Sequence, residues 1–139
     1  MVRIAIGTLS SIGLLISVYF TLVYYRLIAP DSRLLPRFCT LSEGSCRTIL
    51  DAPQARLFGL PNSLIGLFYY ALLLFFALNV WVEVPMASAR WLFVASLVAS
   101  AVGLTLADAL IRTLKTPCVL CFSSHGINIV ISVLLYINL

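Results

Sequence analysis

The side chains best suited to chemistry in this sequence are its four cysteines, which fall into two pairs. Cys118 and Cys121 stand three apart in "TPCVLC", where Thr116 is a good helix N-cap and Pro117 is favoured at the first helical position. Cys118 would then sit about one residue into a helix, facing unpaired backbone N–H groups and the positive end of the helix dipole, a setting that stabilises a thiolate. Positions three apart share a helical face, so this pair can close into a disulfide and reopen. Cys39 and Cys46 flank "TLSEGS", in which Gly44 supplies a turn, and form a second pair on a loop. A loop pair facing a helix pair makes a thiol–disulfide relay. The same residues admit two other readings: small hydrophobes packed in a core, or a four-cysteine zinc or iron–sulfur site in a non-catalytic membrane module.

Two polar side chains could face the Cys118/Cys121 pair. His125 follows Cys121 by four residues, which places it on the same helical face one turn further along. Asn62, in "FGLPNSLIG", stands where a second helix begins, as an N-cap or as a hydrogen-bonding group. A 1,4-quinone carries two carbonyl oxygens at opposite ends of a flat apolar ring, so donors from two helices beside a thiolate would suit it. Asp108 and Arg112, spaced i, i+4, read as an interfacial ion pair, and Ser123 and Ser124 as hydroxyls bonded to helix carbonyls.

The elements that must position these groups follow from the composition. Of 139 residues, 62% are hydrophobic and 10% charged, and the mean hydropathy is +1.09. A soluble domain carries about 25% charged residues, and a domain of about 150 residues buries only about 70% of the surface its unfolded chain exposes. The chain is therefore expected to sit in a lipid bilayer. Its nine basic residues are scattered singly, which argues against a nucleic-acid surface. The charges delimit four apolar stretches, giving helices at about 4–25, 62–82, 91–111 and 117–138. The first is too long in its apolar core for a cleaved secretory signal. The expectation is an all-α membrane protein: one domain over 1–139, a four-transmembrane-helix bundle with a redox loop at 26–61. Within that loop, "CRTILDAPQARL" reads as a short surface-lying helix interrupted at Pro53. With four spans, the first and third connections share one face of the membrane, so all four thiols lie on that face.

In order along the chain, these features resemble the short prokaryotic members of the vitamin K epoxide reductase family. The resemblance rests on Cys39, then "CRTILDAPQARLFGLPNSLIG" from Cys46, then "TPCVLCFSSHGIN" leading into the last helix, and covers roughly residues 35–139. Other four-helix quinone-linked oxidants place their Cys-x-x-Cys first; here it comes last. The resemblance implies a bundle around a quinone of the menaquinone or ubiquinone type. Cys118 and Cys121 match the family's active-site pair, with Cys121 nearest the quinone; Cys39 and Cys46 match its shuttle pair; Asn62 matches the asparagine that bonds a quinone oxygen. It further implies a thioredoxin-like partner whose thiols are oxidised through Cys39/Cys46, Cys46 attacking Cys118 and releasing Cys121.

Three positions depart from the family pattern. His125 stands where vertebrate members carry tyrosine, bringing an imidazole that can exchange protons near neutral pH. Ala52 stands where many members have serine. Many bacterial members continue into a fused thioredoxin domain, whereas this sequence reaches Leu139 without one, so the partner is expected to be a separate protein. The family usually places its thiols on the extracytoplasmic side of a multi-pass cell-membrane protein. The charges oppose that: Arg26, Arg33, Arg37, Arg47, Arg56, Arg112 and Lys115 share the thiol face, against Arg3 and Arg90 on the other, which by the positive-inside rule puts the thiols in the cytoplasm. Intracellular disulfides are physically sensible in hyperthermophiles.

Overall fold

The computed structural model describes residues 1–27, 53, 56–79, 85–113 and 118–138. Within them the chain forms helices α1 (Val2–Tyr24), α2 (Asn62–Leu78), α3 (Met86–Arg112) and α4 (Val119–Asn138), with a two-stranded hairpin, β1 (Arg56–Leu57) and β2 (Leu60–Pro61), leading into α2. It is an all-α membrane bundle. α1, α3 and α4 are long and apolar enough to cross a bilayer, while α2 is a shorter apolar helix of 17 residues. Large apolar side chains face outward along the bundle, among them Leu15, Phe68, Trp91 and Leu104. That is a surface for lipid rather than water.

The helices meet through stripes that mix small and large side chains. On α1 the buried residues Ile6, Ser10, Gly13, Ser17 and Phe20 recur every three or four positions and form one stripe. This stripe packs on α2, which buries Tyr70, Leu73, Phe76 and Ala77. A Cβ at Gly13 would run into the Tyr70 ring, so the α1–α2 approach depends on that glycine. α3 packs on α4, and α4 also on α1. Some hydroxyls inside the bundle return to their own helix carbonyls, as Thr21 does to Ser17 at 2.7 Å and Ser132 to Asn128 at 2.9 Å.

The helix ends differ in places from the boundaries that the charges mark. α3 begins at Met86, behind Pro85, rather than near residue 91. Arg90 lies within its first turns, exposed, with its guanidinium toward Met86 Sδ at 3.9 Å. A long cationic side chain can reach the interface from inside a helix, so a charge does not mark the helix start. α2 stops at Leu78, where Asn79 caps it: its side-chain amide donates to the Phe75 carbonyl at 2.7 Å, and the Asn79 carbonyl accepts from Arg3 at 3.3 Å. α1 closes with Arg26 in the left-handed region (φ 59), Leu27 N–H donating to Leu22 O and Arg26 N–H to Val23 O. This is the hydrogen-bond pattern of a Schellman stop.

The surface helix read over 46–57 is corrected at its end. Arg56–Leu57 is a strand paired antiparallel with Leu60–Pro61, because Phe58 (φ 54) and Gly59 (φ 78) turn the chain with two positive φ values. The rest of that segment, apart from Pro53, lies outside the described residues. Arg56 lies over the Tyr24 ring at 5.9 Å, tying the hairpin to the end of α1.

Candidate functional site

Cys118 immediately precedes α4, one residue nearer the helix end than the sequence suggests. Its carbonyl accepts the first helical hydrogen bond, from Phe122 N–H at 3.0 Å, and its sulfur accepts Cys121 N–H at 3.3 Å. The sulfur thus takes the place that a serine or threonine oxygen holds in an N-cap, bonding the N–H three residues on. Negative charge on that sulfur is favoured by the donor aimed at it and by the helix dipole. Cys118 is buried, at 4% exposure, whereas Cys121 is half-buried and carries a free thiol. Cys39 and Cys46 lie outside the described residues.

Cys121 opens onto a cavity of about 540 Å³ among the helices, a size that holds a small organic molecule. Asn62 and Ser63 of α2 and His125 and Asn128 of α4 line it, and Val98, Val102, Leu106 and Leu110 form an apolar wall. Three residues singled out from the sequence, Cys121, Asn62 and His125, therefore share one chamber. Asn62 is not the N-cap that its position allows: Pro61 holds that place, no side-chain bond caps the helix, and Asn62 is the first helical residue. The reason lies in the hairpin, whose second strand ends on Pro61 and leaves the next residue to begin the helix turned toward the cavity.

The His125 ring lies against α3 at Gly103, where an added Cβ would come within 2.8 Å of Nδ1. Among the described residues that buried nitrogen has no hydrogen-bond partner, and Ser63 Oγ, also at the cavity, is in the same condition. Buried polar atoms without partners are uncommon, and here they border a chamber able to hold a ligand with its own polar groups.

Several polar residues of the chamber are not singled out by the sequence reading. Tyr70, 1% exposed, donates from its hydroxyl to Asn128 Oδ1 at 2.6 Å and lies 3.3 Å from the Ser124 carbonyl. Tyr69 shares a 2.7 Å hydroxyl contact with Ser96 of α3. Ser124 thus faces Tyr70, which the expectation of a hydroxyl bonded along its own helix does not include. The available signal was periodic: Cys121, His125, Asn128 and Ser132 make a polar stripe along an apolar helix. Asp108 and Arg112 pair at 2.9 Å on the exposed end of α3, a plain surface ion pair. Among the described residues, no three His, Cys, Asp or Glu side chains gather as metal ligands.

The model of the Vitamin K epoxide reductase family matches residues 4–136. No curated protein matches the chain.

Proposed function

The chain belongs to the vitamin K epoxide reductase family and is a membrane thiol oxidoreductase; from that premise we propose that it makes disulfides in a thioredoxin-like partner and delivers the electrons to a quinone. The observation that carries this reading is the cavity, where the free thiol of Cys121 meets Asn62 and His125. Their chemistry fits the ligand: an amide and an imidazole from two helices, set in apolar walls, suit a flat ring with two carbonyls. The bound quinone would supply an acceptor for two electrons and two protons.

The proposed relay runs through sulfur alone until its last step. A thiolate of the partner attacks the Cys39–Cys46 disulfide, and the partner's second thiol resolves the mixed disulfide, leaving the partner oxidised and Cys39 and Cys46 reduced. Cys46 then attacks Cys118 in the Cys118–Cys121 disulfide and expels Cys121 as a thiolate. The N–H that Cys121 directs at Cys118 Sγ orients that sulfur. Cys39 next attacks Cys46, which restores the loop disulfide and releases Cys118. Cys118 and Cys121 finally close their disulfide again, giving up two electrons and two protons in the chamber.

We further place four spans in the membrane with the thiol face in the cytoplasm. In support, Arg26, Arg56 and Arg112 are exposed at the end of the bundle where Cys118 begins α4.

The test is Cys121→Ser in the purified protein supplied with dithiothreitol and a naphthoquinone. Quinone reduction should stop, and Cys39 and Cys46 should stay reduced under dithiothreitol, as alkylation followed by peptide mapping would show. Reduction at the wild-type rate would overturn the assignment.

A further inference from the structure

Asn128 borders the chamber three residues after His125, on the same face of α4, and the thiol relay does not use it. Its carboxamide is held in one orientation. Tyr70 of α2 directs its single hydroxyl proton at Asn128 Oδ1, 2.6 Å away, in preference to the Ser124 carbonyl at 3.3 Å. Ser124 Oγ lies 3.4 Å from the Tyr70 oxygen and can donate to it in turn. The Tyr70 ring is wedged against Gly13 of α1, where an added Cβ would overlap it, so the hydroxyl has little room to move. With Oδ1 taken, the two hydrogens of Asn128 Nδ2 remain, and no group among the described residues accepts them. Nδ2 keeps open surface, which sets it apart from the sealed His125 Nδ1, and the space that Asn128 borders is the chamber.

We propose that Asn128, held by Tyr70, donates to the quinone oxygen remote from Asn62 and shares that oxygen with His125. The inference rests on the quinone reading of the cavity. His125 and Asn128 spring from α4 about 4.5 Å apart along its axis. Two donors that each stand ~2.9 Å from one oxygen can be up to twice that distance from each other, so both can reach it. A carbonyl oxygen has two lone pairs and can accept both bonds. The two donors differ in what they can give. An imidazole can pass on a proton when electrons arrive, whereas a carboxamide keeps its N–H and only holds the oxygen in place. Tyr70 is a positioning residue. Its bond to Oδ1 stops the amide from turning end for end, which would aim an acceptor at an oxygen that needs a donor. The chain from Ser124 through Tyr70 also polarises the Asn128 amide and strengthens its N–H as a donor.

The test measures binding without turnover. Oxidised protein in detergent micelles, with no reductant, is given menaquinone isotope-labelled at one carbonyl carbon or at the other, so that infrared spectroscopy reads the two carbonyl stretches separately. Losing a hydrogen bond raises the stretch of the carbonyl that loses it. Asn62→Ala should raise one band and Asn128→Leu the other, and Asn128→Leu should weaken binding roughly tenfold, the worth of one hydrogen bond. Tyr70→Phe should move the same band as Asn128→Leu and weaken binding about twofold, because an amide free to turn offers Nδ2 about half of the time. The double variant Tyr70→Phe/Asn128→Leu replaces both buried partners by apolar groups of similar shape, which keeps the test open if a single variant does not fold. If Asn128→Leu and the double variant leave both bands in place, or raise the band that Asn62→Ala raises, the role of Asn128 is overturned and the quinone reading stands. Wild-type protein that binds neither labelled quinone overturns both.

Discussion

Gly103 has no side chain, and the space one would need belongs to His125. A methyl group there would come within 2.8 Å of Nδ1 and 3.2 Å of Cγ, while the contact with the His125 Cβ, at 3.4 Å, is ordinary packing. Relaxed contacts lie near 3.5–4.0 Å, so the ring must retreat by roughly 1 Å or α3 must separate from α4. Overpacking of this kind costs about 1–3 kcal/mol. Gly103→Ala should therefore destabilise the protein by that amount, even though alanine in a helix interior is otherwise favoured over glycine by about 0.5–1 kcal/mol. In a His125→Ala background the ring is gone and only the helical preference remains, so the same substitution should become neutral or stabilising. The coupling between the two sites is the difference, on the order of 1–4 kcal/mol by these estimates. Unfolding in mixed detergent micelles, followed by circular dichroism for the wild type, both single variants and the double variant, measures it. If Gly103→Ala costs as much without the imidazole as with it, the ring does not occupy that space and the placement of His125 in the chamber is wrong.

Three further outcomes follow from the same geometry. Asn62→Ala should change stability by less than about 0.5 kcal/mol, because no cap bond is lost, yet raise the quinone KM roughly tenfold, the worth of one hydrogen bond; a stability loss with an unchanged KM would instead mark a structural role. Tyr70→Phe leaves Asn128 Oδ1 without its 2.6 Å donor and should destabilise the bundle by about 1–2 kcal/mol in the same unfolding assay, with no loss meaning that the bond contributes nothing. With the thiol face in the cytoplasm as proposed, Cys39 in reduced intact cells should escape a membrane-impermeant maleimide until lysis; prompt labelling before lysis would reverse the orientation.

The sequence made the apolar helices legible because charges are scarce and mark roughly where apolar stretches stop. It was less informative about helix ends, since Arg90 can sit inside α3 and still reach water, and about α2, whose end at Leu78 is set by Asn79 and Arg3 from another helix. The hairpin before α2 was hidden for a local reason: a phenylalanine at positive φ is uncommon, so "LFGL" does not announce the turn that Phe58 and Gly59 make. For the site, Cys121, His125 and Asn62 were visible as polar groups at the edges of apolar helices. Tyr69 and Tyr70 were not, because a tyrosine in an apolar helix reads as bulk, and its hydroxyl matters only once Ser96 and Asn128 are placed opposite it. In a membrane both faces of a helix are apolar, so sequence periodicity alone marks the inward face weakly.

The central claim is that electrons leave the protein's thiols for a quinone through Cys121. Its most direct measurement is anaerobic titration of the fully reduced, reductant-free protein with a naphthoquinone, counting hydroquinone formed per chain. The four cysteines hold electrons for two quinones, so the wild type should yield two equivalents, a Cys39→Ser/Cys46→Ser variant one, and Cys121→Ser almost none. Two equivalents from Cys121→Ser at the wild-type rate would contradict the account.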